Sequence, residues 1–184
     1  MPSNAPFGFR PSRHLRGGVI RNAEYPIATN YSTKIHTGSP VKLLNDGTIA
    51  LAAAGDRILG IFMGVQYTAS DGSPVFKNYW DAPSSPTNPL AQVIDDPDVA
   101  YFIQSGGTPT SADVGQLADH VAGTANDFIG QSGAYLNSST GTGSAAVRIL
   151  GLAKFPGNSG QYAVLEVQPF EWELAYHGQG TIGI

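Results

Sequence analysis

The chain has 184 residues, a length that suits one domain with a buried core, and its formal net charge is -4. It contains no cysteine, which excludes disulfides, thiolate metal ligands and a cysteine nucleophile. Its 23 glycines and 13 prolines make up about a fifth of the sequence, and only 13% of its residues are charged, a composition that favours a turn-rich β protein.

The first 34 residues differ from the rest in charge and composition. They hold five basic residues against one acidic residue, a net charge of +4, whereas residues 35–184 hold five basic and thirteen acidic residues, a net charge of -8. Four prolines and three glycines disfavour a compact element, yet eight large apolar side chains are too many for a solvated tail. We predict an extended N-terminal arm, residues 1–34, that buries these side chains against its own body or against a neighbouring chain.

Residues 35–169 are predicted to form a β-rich body whose centre is a hairpin. Two short apolar runs, 41–43 and 49–51, flank Asn45-Asp46-Gly47, residue types that tolerate the positive φ of a tight turn. A third strand is expected from Arg57 to Phe62. Further strands are expected at 61–67, 92–94, 99–104, 128–136, 147–152 and 162–167.

One helix and two irregular segments complete the predicted elements. Thr110 to Val121 is the best helix candidate, because Ser111 can cap it and apolar side chains recur at i, i+3, i+4 and i+7 from Val114. Residues 81–90 contain three prolines and predict a loop, and residues 170–184 are a C-terminal tail that could pack on a neighbour. No apolar run approaches the roughly 20 residues that span a bilayer. The first residues lack the apolar centre of a secretion signal, so we expect no membrane partner and no export by the standard route.

No pattern in the sequence predicts catalysis or a cofactor. Asp95, Asp96 and Asp98 could offer oxygens to a hard cation, but they lack the spacing of a calcium loop, and Pro97 makes a capped turn the simpler interpretation. The four histidines are scattered without the spacing of a zinc site, and neither a nucleophile elbow nor a phosphate-binding loop is present. We therefore expect no enzyme activity, no metal and no cofactor. The acidic body also argues against nucleic acid as a partner.

Aromatic residues form two short groups in the sequence. Tyr79-Trp80 and Phe170 with Trp172 could form a sugar-stacking platform. Aromatic residues at this density are more often anchors of a core or of an interface. The sequence leaves both interpretations open.

Several short motifs follow one another along the chain. They are Asn4-Ala5-Pro6-Phe7-Gly8-Phe9-Arg10-Pro11, Tyr25-Pro26-Ile27-Ala28, Ile35-x-Thr37-Gly38-x-Pro40-Val41, Asp56-x-Ile58-Leu59-Gly60-Ile61-Phe62, Val93-x-Asp95-Asp96-Pro97, Asp127-x-x-Gly130-x-Ser132-Gly133 and Arg148-Ile149-Leu150-Gly151. In this order they resemble the head decoration (cement) proteins of tailed bacteriophages, and the similarity extends to about Val167. The motifs are structural rather than chemical, so the resemblance rests on their order along the chain.

The resemblance implies a mainly β fold: a small β-barrel or sandwich (β-tulip-like) body with one short helix and an extended N-terminal arm. It also implies a virion protein that binds the outer surface of the head and stabilises the mature shell by clamping neighbouring capsid subunits. The implied partners are the major capsid protein and further copies of the chain, as a homotrimer or a dimer. The expected contacts with capsid or neighbouring subunits are Phe7, Phe9, Arg10, Arg13, Arg16 and Tyr25. A virion-surface module that binds carbohydrate or a host is the alternative.

Overall fold

The computed structural model describes residues 2–141 and 145–174 and confirms a mainly β fold. All strand pairs are antiparallel, in two six-stranded sheets and one two-stranded sheet. The strands are β1 Arg10–His14, β2 Ala23–Pro26, β3 Ile35–His36, β4 Pro40–Leu43, β5 Ile49–Leu51, β6 Gly60–Thr68, β7 Pro74–Lys77, β8 Tyr79–Trp80, β9 Thr87–Ile94, β10 Val99–Gln104, β11 Leu117–Val121, β12 Tyr135–Gly141, β13 Val147–Leu152 and β14 Val164–Pro169. In the described ranges the sheets do not close into a barrel, and a sandwich-like body fits their arrangement.

The first sheet has the strand order β1-β10-β14-β13-β11-β12. It curls strongly, since Ser105, just after β10, bridges Leu136 of β12, and the Gly106 N–H donates to the Leu136 carbonyl at 2.9 Å. In this strand order β1 is an edge strand.

The second sheet has the order β2-β9-β6-β4-β5, with β7 also paired to β6. The predicted hairpin is confirmed as β4–β5, with Val41 opposite Leu51 across the turn. Gly47 in that turn has φ of 81°, and the Asp46 side chain accepts a hydrogen bond from the Thr48 N–H at 3.0 Å. The predicted third strand begins later, at Gly60, and continues through the predicted strand 61–67.

The two large sheets share one of the two hydrophobic cores. Its members include Tyr101 and Val167 from the first sheet and Ile61 from the second, and Trp172 lies fully buried among them. A second core on the second sheet surrounds Trp80. The first part of the predicted tail therefore packs on the chain's own core, while residues 175–184 lie outside the described residues.

The predicted helix at Thr110–Val121 is wrong except for a single 3-10 turn, Ser111–Asp113. Thr110, rather than Ser111, caps that turn. Gly115 then adopts φ of 86° and its N–H donates to the Ile149 carbonyl at 2.8 Å, so the chain turns into β11. The helical spacing of apolar residues was accidental, because Val114 is exposed while Leu117 is buried by the first sheet.

Other predicted elements match to different degrees. The strands at 99–104 and 147–152 are confirmed with their predicted bounds. The strand prediction is wrong for residues 128–130, since they form a turn in which residues 128 and 129 are exposed, and β12 begins only at Tyr135. β9 begins inside the predicted loop, at Thr87. No helix in the described ranges has the length and apolar character to cross a membrane.

Candidate functional site

The N-terminal segment, residues 2–34, contributes an edge strand to each of the two large sheets. β1 pairs with β10, so that Arg10 lies opposite Phe102, and β2 pairs with β9, so that Tyr25 lies opposite Ala91. The segment is extended, as its prolines predict, but the surface that it covers is its own body. Of the two partners that the sequence left open, the structure therefore shows the segment on its own chain.

Phe9 holds the segment in the first core. Its side chain is 1% exposed, and its ring packs edge-on against Tyr101 with centroids 6.0 Å apart. The Phe9 N–H donates to the Gly38 carbonyl at 2.8 Å, and Gly8, with φ of 74°, brings the backbones so close that a Cβ there would lie 2.5 Å from that oxygen. Phe9 is therefore a core residue here, which removes it from the expected contacts with capsid or neighbouring subunits.

The acidic turn, Asp95 to Asp98, is the docking point for the polar side chains of the segment. The three contacts are Tyr25 Oη to Asp95 Oδ2 at 2.7 Å, His14 Nε2 to Asp96 Oδ2 at 3.2 Å and Arg16 Nε to Asp98 Oδ2 at 2.9 Å. Burial, followed by the hydrogen bond to Asp95, raises the pKa of Tyr25 to about 12, so this phenol remains a donor at neutral pH. The segment thus meets its acidic partner within one chain.

The acidic turn has the geometry of an ion-paired anchor. One atom each of His14, Asp96 and Asp98 lies within 4.8 Å of the others, which is close enough to hold a cation. However, the Arg16 N–H donates to His14 Nδ1 at 3.1 Å, which places the ring proton on Nε2, where it is donated to Asp96. A metal would need a lone pair on that Nε2, and Asp98 already binds the Arg16 guanidinium. Asp96 Oδ1 accepts from the Asp98 N–H at 2.9 Å, as the capped-turn interpretation predicts.

Arg13 forms the other ion pair of the segment with the first sheet. Its Nε and Nη2 lie 2.8 and 3.3 Å from the two carboxylate oxygens of Glu166 on β14, and the Ser12 hydroxyl donates to Glu166 Oε1 at 3.0 Å. The hydrogen bond from Arg13 is the main cause that lowers the pKa of Glu166. The Arg13 side chain is still more than half exposed, so the pair contributes little to stability and its outer face remains available to a partner.

A row of side chains crosses the outer face of the first sheet from β1 towards β14, and we call it the first-sheet row. Arg10 lies opposite Phe102, and the Arg10 guanidinium carbon is 4.7 Å from the Phe7 ring centroid. Phe102 also packs against the half-exposed Phe155, with ring centroids 5.1 Å apart. The members of the first-sheet row are Phe7, Arg10, Phe102 and Phe155. The last two were missed from the sequence, because only the strand register places them beside Arg10.

The aromatic groups near Trp80 and Trp172 do not form an exposed platform. Both tryptophans are buried in the two cores, which confirms the core interpretation for them. Tyr79 stacks on His36, with centroids 5.8 Å apart and an interplanar angle of 4°, and Phe170 lies under the Arg148 guanidinium carbon at 4.9 Å. These rings are engaged with their own chain rather than aligned for a sugar.

The described residues group the predicted contacts into three places: Phe7 and Arg10 in the first-sheet row, Arg13 beside it, and Arg16 and Tyr25 at the acidic turn.

Comparisons of the chain with protein-family models, with curated proteins and with solved structures each found no match.

Proposed function

We propose that this chain is a capsid decoration (cement) protein. It binds the outer surface of a tailed-phage head in the virion and stabilises the mature shell by clamping neighbouring capsid subunits. Its partners are the major capsid protein and further copies of the chain, as a trimer or a dimer. The observation that carries the proposal is the first-sheet row, in which an exposed arginine lies among aromatic rings on a chain with a net charge of -4.

The row has the chemistry of a protein contact. Arginine and aromatic residues are enriched among the side chains that dominate binding energy at interfaces. In the part of the chain that the structure describes, Arg10 has no carboxylate within 4 Å, whereas Arg13 and Arg16 are paired. Arg10 can therefore bind an acidic group on a partner without first breaking an ion pair.

The resemblance to decoration proteins supports the same proposal. Two of its motifs lie far apart in sequence and meet in space, because Tyr25 of one donates to Asp95 of the other. Another of the motifs, residues 4–11, contains both Phe7 and Arg10. The motifs thus converge on the N-terminal segment and the body strands that hold it.

A clamp of this kind stabilises by mass action. A protein that binds the assembled lattice and not the free subunits shifts the equilibrium towards the lattice, by about 2.7 kcal/mol per site when its concentration is 100 times its Kd. Several copies joined in one oligomer gain further affinity through effective concentration. Because the row is already ordered in the folded chain, binding avoids the roughly 1–2 kcal/mol per residue that ordering a free arm would cost.

Deletion of residues 1–30 would test head binding by the segment only if the segment were a free arm. If the arm were free, deletion of residues 1–30 would abolish head binding and leave the body folded. That deletion removes both edge strands and the core residue Phe9, so we expect it to unfold the chain. Point substitutions in the exposed row are the informative change.

We expect Arg10→Glu to weaken binding to DNA-filled heads that lack the protein, measured by co-sedimentation, by about tenfold or more, because it reverses the one unpaired charge of the row. Arg57→Glu is the matched control, since Arg57 is also exposed and its contact with Glu173 is 3.9 Å long. Equal affinity of Arg10→Glu and the wild type would overturn the role of the row. A wild-type protein that does not bind heads but binds glycans on an array would overturn the decoration proposal in favour of the carbohydrate-binding or host-binding module.

A further inference from the structure

A second exposed apolar surface lies away from the N-terminal segment, at the turn Asn126–Gln131. Phe128 is 96% exposed and Ile129 is 49% exposed. An isolated exposed apolar side chain is ordinary, but two adjacent ones at the end of a turn present a projecting apolar knob.

The knob is held in place by hydrogen bonds within its own turn and from the bend at Asn78 between β7 and β8. Asn126 and Gln131 exchange both backbone hydrogen bonds, at 2.8 and 3.1 Å. The Asn126 side-chain oxygen accepts from the Phe128 and Ile129 N–H groups, and the Ile129 carbonyl accepts from the Asn78 amide at 2.9 Å. A side chain presented on an ordered turn loses less conformational entropy on binding than one on a free loop.

Asn78 joins the knob to the edge strand β7. Phe76, two residues earlier and on the same side of the chain, is 75% exposed. Thr37 connects the two parts again, since its N–H donates to the Gly130 carbonyl and its hydroxyl contacts the Asn78 and Met63 carbonyls. A shallow groove beside Phe76 is lined by Met63, Val65, Gln66 and Gln92. Knob and groove therefore lie on one surface, which we call the β7 patch: Phe76, Phe128, Ile129 and this groove.

The size of the β7 patch suits the centre of an oligomer contact. With about 200 Å² for a whole aromatic or large aliphatic residue, its three exposed apolar residues present roughly 400 Å². A stable interface buries about 800 Å² on each partner, so the patch supplies half of one and needs a polar rim to complete it. β7 pairs only with β6 among the described strands, so its other edge is also open to a partner.

The charges around the β7 patch point to a second copy of this chain as its occupant. Lys34 forms a hydrogen-bonded ion pair with Asp127 beside the knob, and Lys77 forms one with Asp81 beside the groove. Beside the groove, Glu24 also accepts from the side-chain amides of Gln66 and Gln92, at 3.2 and 2.8 Å, and has no cation within 4 Å among the described residues. The groove side therefore carries an uncompensated carboxylate, whereas the knob side presents the partly exposed ammonium of Lys34. When the knob of one copy meets the groove of another, Lys34 beside the knob faces Glu24 beside the groove, which is the self-complementarity that a symmetric contact requires. We propose that the β7 patch is the surface through which copies of the chain associate.

Sedimentation velocity over about a hundredfold range of concentration tests this proposal. We expect the wild type to sediment at a multiple of its protomer mass of 19.2 kDa. We expect Phe128→Asp and Phe76→Asp each to weaken association by about tenfold or more, because each places a charge in the apolar centre. Both side chains are exposed in the protomer, so circular dichroism should show an unchanged fold. Val114→Asp, at an exposed apolar residue outside the patch, is the matched control and should associate as the wild type does.

A wild type that remains a monomer, or aspartate variants that associate as it does, would overturn the proposal. Head binding separates this inference from the decoration function. A monomer that still binds heads overturns the β7 patch and leaves the decoration proposal standing. If the wild type is an oligomer that the aspartate substitutions dissociate, but it does not bind heads, the β7 patch stands and the decoration proposal is overturned.

Discussion

Phe9→Ala distinguishes an N-terminal segment that belongs to the fold from an arm that merely rests on it. The ring is 1% exposed and lies in the core shared by the two large sheets. Truncating a buried phenylalanine to alanine removes its transfer free energy and leaves a cavity, at a cost of about 3–5 kcal/mol. The edge-on contact with Tyr101 places the loss in the upper part of that range, because aromatic pairs add about 0.5–1.5 kcal/mol beyond burial.

Urea denaturation followed by tryptophan fluorescence measures this loss, because Trp80 and Trp172 are both buried and become exposed on unfolding. Phe7→Ala is the matched control: it removes the same ring from a half-buried position two residues earlier, and we expect it to cost about 1 kcal/mol or less. A Phe9→Ala variant with the stability of Phe7→Ala would refute the structural role of the segment. It would restore the interpretation of residues 1–34 as an arm for a neighbouring chain.

Two further predictions concern buried and strained positions. Burial lowers the pKa of His120, so just below pH 6.5 the unfolded chain binds more protons than the folded chain, and the free energy of unfolding should fall as the pH drops through this range. Urea titrations at pH 7.5 and 5.5 should show a smaller pH dependence for His120→Phe than for the wild type. An equal pH dependence of the two proteins would contradict this prediction. Gly8→Ala should destabilise by about 2 kcal/mol or more in the same assay, because a Cβ would clash with Gly38 at a positive φ, whereas Gly17→Ala, also at positive φ but with open space around it, should cost only about 1 kcal/mol.

Local signals in the sequence were sufficient for the elements that depend on local chemistry. The turn at Asn45-Asp46-Gly47 specifies the β4–β5 hairpin, and β10 and β13 are six-residue segments rich in apolar residues, a length typical of strands and short for a helix. The helix prediction at 110–121 failed because four apolar residues fell at helical spacing by accident. Backbone hydrogen bonds of Gly115 and Gln116 with Ile149, which is distant in sequence, direct the chain into β11 instead. The exposed turn at Phe128 failed for a similar reason: its residues favour strand, but the Asn126 side chain closes the turn first.

The candidate site was predictable only in part because it depends on strand register. The excess of arginine and aromatic residues in the first 34 residues indicated a contact segment, and the structure places Arg10 over the Phe7 ring. Their contact with a partner stays a prediction. Nothing local reveals that Phe102 lies opposite Arg10, since the two are more than ninety positions apart in the chain. Phe9 is buried and its neighbour Arg10 is exposed, because successive side chains of an extended chain face opposite sides and only one side faces the core.

The separation of charge along the chain has a physical consequence for the order of assembly. The basic segment meets the acidic turn inside the protomer, where Arg16 and His14 are held at fixed distances and the effective concentration is high. Intramolecular pairing therefore competes with contacts to a neighbour, and it engages three of the five basic residues of the segment, Arg13, Arg16 and Lys34. Among the described residues, Arg10 and Arg21 are the basic residues of the segment without an ion pair. Arg10 lies with its aromatic rings on one surface, and the β7 patch lies on another. Under the proposed function, such a protomer folds before it meets a partner, and its contacts use only the surfaces that folding leaves uncovered.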